Sequence, residues 1–245
     1  MNGVLLIPCV GPMQSWGTRS RFQERDTERE PSKSGMIGLL CAALGRDRES
    51  PIDDLAILRM GVRIDREGKL DVDFQTAQNV AVASGGSPQD LLSNRHYLSD
   101  AAFLVALEGN YSTLAMLHQA LAHPTWMLFL GRKSYVPSKP PYLPKGLLAD
   151  VTIEEALLSW PLMISPEDFE HRLKVGKAGR DNRIRLALES KEQTHEIRND
   201  QPVCFALGRR VFHQRYITTE YADINKFTAK KEESDVSDTV EPQPA

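Results

Sequence analysis

GVLLIPCVGPMQSWG at residues 3–17 and PSKSGMIGLLCAALG at residues 31–45 decide how this chain is read. Gly3 to Val10 is a short apolar run of the length and composition of a buried strand. Gly11-Pro12 then marks a turn, and the chain stays polar and charged as far as Pro31. From Ser32 to Leu44 the spacing of Met36, Ile37, Leu39, Leu40, Ala43 and Leu44 predicts a helix, which Gly45 ends. Strand, glycine-flanked loop and capped helix therefore open the fold.

Working outward, residues 56–65 alternate like a strand, Arg66-Glu67-Gly68-Lys69 reads as a hairpin turn, and Leu70 to Gln75 is expected to pair back. Residues 76–98 are polar, lack helical periodicity and contain Ser84-Gly85-Gly86-Ser87-Pro88. A loop of this length is functional or disordered. Asp100 to Glu108 is a buried strand, Tyr111 to Ala122 a helix with Leu114, Leu117 and Leu121 on one face, and Trp126 to Leu130 a further strand. The order is βαββαβ with one insertion, an α+β, ferredoxin-like (RRM-like) pattern. Such a fold leaves one sheet face free of helices, and RNA-recognition modules use that face.

Residues 1–136 form this domain. Residues 137–150, with four prolines, read as an extended linker. Residues 151–221 read as a small β-rich subdomain that opens with a helix, Thr152 to Trp160, carrying Thr152 and Glu155 at capping-box spacing. Residues 222–245 are polar and acidic and are expected to be disordered.

The 245 residues are 41% hydrophobic and 26% charged, which suits a soluble chain with a packed core. No apolar run approaches the ~20 residues of a membrane span. Met1-Asn2-Gly3 lacks the basic start of a signal peptide. Cys9, Cys41 and Cys204 show no C-x-x-C spacing and read as small buried residues in a reducing cytoplasm. His118, His123, His171, His195 and His213 show no metal spacing. Nucleophile elbows and dinucleotide fingerprints are also missing. No metal, cofactor or catalytic set is therefore expected. Asp53-Asp54 and Glu154-Glu155 read as helix-start acids.

The net charge of −3 looks wrong for a nucleic-acid binder, but residues 222–245 hold six acids against three bases and so account for all of it. The remaining body is neutral, with clustered bases. Arg132, Lys133, Lys139 and Lys145 lie in a stretch without acids, residues 129–146. Arg172, Lys174, Lys177, Arg180, Arg183 and Arg185 are accompanied in their window only by Asp181. Such patches suit phosphate contacts, or are solvated charged faces.

Four segments carry residues suited to binding RNA. Gly11 to Gly17 places Gln14 and Trp16 between glycines, Trp16 either to stack on a base or to pack on the sheet edge. Lys33, Ser34 and Gly35 open a helix whose unpaired N–H groups make either a phosphate seat or an ordinary N-cap. Leu130-Gly131-Arg132-Lys133-Ser134-Tyr135 fits a loop that grips a backbone. Arg95, His96 and Tyr97 end the long insertion, where a histidine near lysine also suits metal-independent RNA cleavage.

Gly-Pro-Met-Gln-Ser-Trp-Gly at 11–17 and Pro-Ser-Lys-Ser-Gly-Met-Ile-Gly-Leu-Leu at 31–40, with residues 97–107 and 130–135 in the same order, resemble CasD-type Cascade subunits of type I-E CRISPR systems. The resemblance implies a RAMP fold with a protruding β-hairpin thumb, here at about residues 76–98, and a small β-rich C-terminal part. It implies a non-catalytic subunit that caps the five-prime handle of crRNA. Its partners would be the repeated backbone subunit, the large subunit and target DNA near the guide duplex. Gln14, Trp16, Lys33, Ser34, Gly35, Arg95, His96, Tyr97, Arg132, Lys133 and Ser134 become handle-binding candidates. The alternative, from type I-C relatives, is a metal-independent crRNA-processing endoribonuclease using His96 or Lys133.

Overall fold

The computed structural model describes residues 1–18, 23–82, 85–177 and 182–227. The elements run β1 (Asn2–Val10), β2 (Met13–Gln14), β3 (Glu24–Arg25), α1 (Lys33–Leu44), α2 (Asp53–Ala56), β4 (Arg59–Arg66), β5 (Lys69–Val80), β6 (Gln89–Ser99), β7 (Ala102–Asn110) and α3 (Tyr111–Ala122). They continue as β8 (Leu147–Ala149), α4 (Ile153–Ser159), α5 (Pro166–Lys177), β9 (Arg183–Ser190), β10 (Glu196–Cys204), β11 (Val211–Asp223) and a 3-10 turn, Ile224–Lys226. The architecture is mixed α+β and mostly antiparallel. Among the described residues no helix is long and apolar enough to cross a membrane.

Seven strands form one sheet in the order β10-β11-β9-β4-β7-β1-β8. The run in β1 is continuous because both its faces are buried. Leu5, Ile7 and Cys9 join the core under α1 and α3, while Val4 and Leu6 join a second core under α4. Local signals end the helices where the sequence places them. Ser32 accepts from the Gly35 N–H, Gly45 adopts φ 70°, and Thr152 and Glu155 form a complete capping box.

Several expectations are corrected. The sheet face expected to be open is covered by α4, through Ile153, Ala156 and Leu157, and by Leu162, Ile164 and Phe227. Burying each such large side chain is worth about 1.5–3 kcal/mol. On that face β4 presents Arg63 and Asp65, which look solvent-facing but are both fully buried. The Arg63 guanidinium donates to Asp65 and to the carbonyls of Leu157, Trp160 and Pro161, and Asp65 accepts from the Met163 N–H. This pair caps the C-terminal end of α4, whose last carbonyls would otherwise lack partners.

Strand β8 lies inside the expected proline-rich linker and pairs with β1 through Leu5↔Leu147. Trp126 to Leu130 is irregular chain instead. The C-terminal strands are not separate, because β9 pairs directly with β4. Helix α5 precedes them, in a region read as strands. Ala222, Ile224 and Phe227, assigned to the tail, are buried in the second core; residues 228–245 lie outside the described residues.

The expected β4–β5 pairing does not form. At Gly68 and Asp100, both at positive φ, the chain leaves the β4–β7 ladder. β5 then pairs with β6 alone, from Lys69↔Ser99 to Val80↔Gln89, while β6 also takes the short strands β2 and β3. The long insertion is thus a two-stranded ribbon rather than a loop. Of its expected tip, Ser84 lies outside the described residues.

Candidate nucleic-acid interface

The base of the ribbon is where the singled-out segments meet. β2 pairs with β6 through Gln14↔Leu98, and β3 runs parallel to β6 through Arg25↔Arg95. Residues 130–135 close in from the other side. The Ser15 N–H donates to the Leu130 carbonyl at 3.1 Å, and the Ser15 hydroxyl donates to the His96 carbonyl at 3.2 Å. Gly131, at φ 91°, lies so close that a Cβ there would sit 1.7 Å from the Ser15 oxygen. Arg132 then reaches across all three segments. It donates to the Tyr135 hydroxyl at 2.8 Å and to the carbonyls of His96 and Arg25 at 2.9 and 3.2 Å.

Because residues opposite one another in a ladder share a face, β6 sorts its side chains into two sets. Arg95, with Arg25 beside it, and Tyr97 point one way, and Tyr97 lies 6.0 Å from the ring of Tyr135 that holds Arg132. His96 and Asn94 point the other way and both meet Glu24, at 3.4 and 2.8 Å. Arg25 and Arg95 on the first side, and Arg132 and the exposed Lys133 in the adjoining loop, form no ion pair among the described residues. Two acids share this face: Asp71, opposite Tyr97, pairs with Lys69 and accepts from Ser99, whereas Asp73, opposite Arg95, accepts from the neutral Gln75 amide and keeps its charge. Four cations that outnumber these two carboxylates, an exposed Ser134 and a half-exposed tyrosine suit a phosphate backbone and a stacked base. Arg25 is a residue that motif reading misses, since nothing in the charged stretch 18–31 distinguishes it before β3 pairs it with Arg95.

Gln14, Trp16 and Lys33 are placed differently from expectation. All three are buried, at 0%, 1% and 1% exposure, so none offers surface to a ligand. Gln14 donates to the carbonyls of Cys9 and Ala101 and accepts from the Trp16 indole N–H at 3.2 Å. The Trp16 ring packs on Gly35, where a Cβ would come within 2.9 Å of it. Lys33 does not open a phosphate seat. Its backbone N–H donates to Asp200 at 2.7 Å, and its ammonium pairs with Glu189 at 2.9 Å. The helix N-terminus therefore already holds an anion from within the chain. Burial pulls the Lys33 pKa below the ordinary lysine value, against the opposing pull of Glu189. Ser34 is half-buried one residue further along α1.

The second basic run is largely used internally. Arg185 bridges Glu30 and Glu67, Arg172 donates to the carbonyls of Asp65 and Arg183, and Arg183 lies over the Tyr221 ring. Arg180 lies outside the described residues.

The profile of the family described as CRISPR-associated protein (Cas_Cas5) matches residues 4–218. This chain belongs to the Cas5 family. The Cas5 chain is 31% identical over 176 residues to the CRISPR system Cascade subunit CasD of Escherichia coli (strain K12), a match covering 65% of this chain and 78% of that protein. It superposes on a crystal structure of a Cas protein with a TM-score of 0.72 at 43% identity, over 93% of this chain and 98% of the other. A chain of a CRISPR RNA-guided surveillance complex gives a TM-score of 0.70 at 30% identity, over 89% of both chains. The profile match ends at residue 218, so β9 and β10 and most of β11 lie within it.

Proposed function

We propose that this Cas5-family chain is a non-catalytic RNA-binding subunit of a Cascade surveillance complex, which caps the five-prime handle of crRNA and helps assemble the complex for DNA target recognition. The observation that carries this reading is the net-cationic surface of Arg25, Arg95, Arg132 and Lys133 near Tyr97, in a chain whose relatives bear the names CasD and RNA-guided surveillance complex. The order β8-β1-β7-β4, with α1 and α3 as crossovers, supports the ferredoxin-like reading of the core. The β5–β6 ribbon supports the thumb reading, extended to residues 69–99. The backbone subunit, the large subunit and target DNA would meet the chain around this ribbon.

The endoribonuclease reading has one observation in its favour, the orientation of His96 by Glu24. Alternation along β6 works against it, because His96 faces away from Arg95 and Tyr97, and a base on one side of a strand does not serve a phosphate held on the other. The test is incubation of the full chain with its own repeat RNA, with and without divalent metal. Binding without scission is expected. Scission at one position that is lost in His96→Ala or Lys133→Ala would sink the non-catalytic reading.

A further inference from the structure

Two buried charge clusters tie the C-terminal strands to the segment that leads into α1. In the first, Asp200 on β10 receives the Lys33 N–H at 2.7 Å and is itself held by Arg215 of β11 at 2.6 and 3.0 Å. In the second, Glu30 accepts from Arg198 of β10 and from Arg185 of β9, both at 2.8 Å. Glu30, Lys33 and Asp200 are each no more than 5% exposed. Breaking a pair of this kind by removing one partner leaves the other charge buried and alone, so the turn Glu30–Lys33 has little freedom to move.

From this turn a continuous set of contacts runs to the cationic surface. Ser32 caps Gly35, Trp16 packs on Gly35, Trp16 is tied to Gln14, and Ser15 is hydrogen-bonded to Leu130 and pressed against Gly131, the residue before Arg132. No member of the two charge clusters is among the cations that face the proposed RNA. We propose that Asp200 and Glu30 are positioning residues for RNA binding, through which strands β9–β11 hold the loop carrying Arg132 in register with Arg25 and Arg95. This rests on the reading of that surface as the RNA interface.

The experiment is a double-mutant cycle with the full chain and fluorescently labelled repeat RNA, read at 15 °C on variants shown by near-ultraviolet circular dichroism to be folded. Arg132→Ala alone should weaken binding. Asp200→Asn should weaken it roughly tenfold, and combined with Arg132→Ala should fall short of the product of the two effects by more than about twofold, since independent distant sites multiply within that margin. Asp200→Asn that is folded and binds normally overturns the proposal, as does one whose effect simply multiplies with that of Arg132→Ala. If Asp200→Asn does not fold, Glu30→Gln takes its place in the cycle, with a smaller expected loss of about threefold and the same criteria. Unchanged binding by Arg132→Ala sinks the RNA-surface reading and this proposal with it. That failure is told apart from the others because it needs no change in the charge clusters.

Discussion

Replacing Gly131 with alanine isolates the joint between the two loops that build the candidate surface. The φ of 91° is a conformation that an L side chain adopts at a cost of about 1–3 kcal/mol. The added Cβ would lie 1.7 Å from the Ser15 oxygen and 2.8 Å from its carbonyl carbon, both backbone atoms that cannot rotate away. Relief requires the two loops to part by more than 1 Å, which breaks the Ser15 N–H to Leu130 hydrogen bond at a further ~1–3 kcal/mol for a buried donor left unpaired. The sum is about 2–6 kcal/mol, a large share of the ~5–15 kcal/mol that stabilises a domain.

Two other glycines act as controls in the same urea unfolding series. Gly85→Ala, at φ 79° with nothing within 4 Å of the new Cβ, carries only the backbone cost of about 1–2 kcal/mol. Gly38→Ala, inside α1 with open space around its Cβ, should stabilise by about 0.5–1 kcal/mol. A Gly131→Ala midpoint no lower than that of Gly85→Ala would refute the close approach of the two loops. So would undiminished RNA binding by the Gly131→Ala protein, since its Arg132 would have moved.

Lys133→Ala should leave the unfolding midpoint unchanged and reduce the slope of log affinity against log salt for repeat RNA by up to about one unit, as loss of one phosphate contact requires. Lys33→Ala should instead cost about 1–3 kcal/mol of stability, because Glu189 loses its ammonium partner and keeps only the Met60 N–H and Arg215 at 4.0 Å; an unchanged midpoint would return Lys33 to the surface. Asp65→Ala should cost about 3–5 kcal/mol by leaving the Arg63 guanidinium buried without its carboxylate, again read by urea titration. Burial would raise the Glu30 pKa, but Arg185 and Arg198 outweigh it and hold the carboxyl below the ordinary glutamate value. Its contribution is therefore present above the unfolded-state value of about 4.3 and is lost as pH falls through the lower folded-state value. Glu30→Gln should flatten that acid limb of the stability profile, and a limb of unchanged steepness would count against the pair.

Much of the fold was legible because its signals are local. The apolar run of β1, the Ser32 cap and Gly45 stop of α1, the face of α3 and the capping box of α4 each lie within a few residues of what they specify. The site was legible in outline for a similar reason: residues 11–17, 94–97 and 130–135 are short segments rich in glycine, amide, cation and aromatic. The ribbon was not, since two strands exposed on both faces carry no consistent core pattern. Burial of polar residues was not legible either. Nothing near Arg63 in the sequence marks it as buried, and Lys33, expected at a phosphate seat or N-cap, meets a carboxylate 156 positions away.

The sequence by itself determined that this is an α+β chain whose opening strand, loop and helix belong with residues 130–135. It also determined the identity of most of the cations on the candidate surface. Only the tertiary structure decided which of them face outward. Charge in a sequence is a property of one residue, whereas its availability depends on whether a distant carboxylate has already been brought against it. Glu189 and Asp200 do this to Lys33, and Glu30 and Glu67 to Arg185, while Arg25, Arg95, Arg132 and Lys133 are left with no such partner among the described residues.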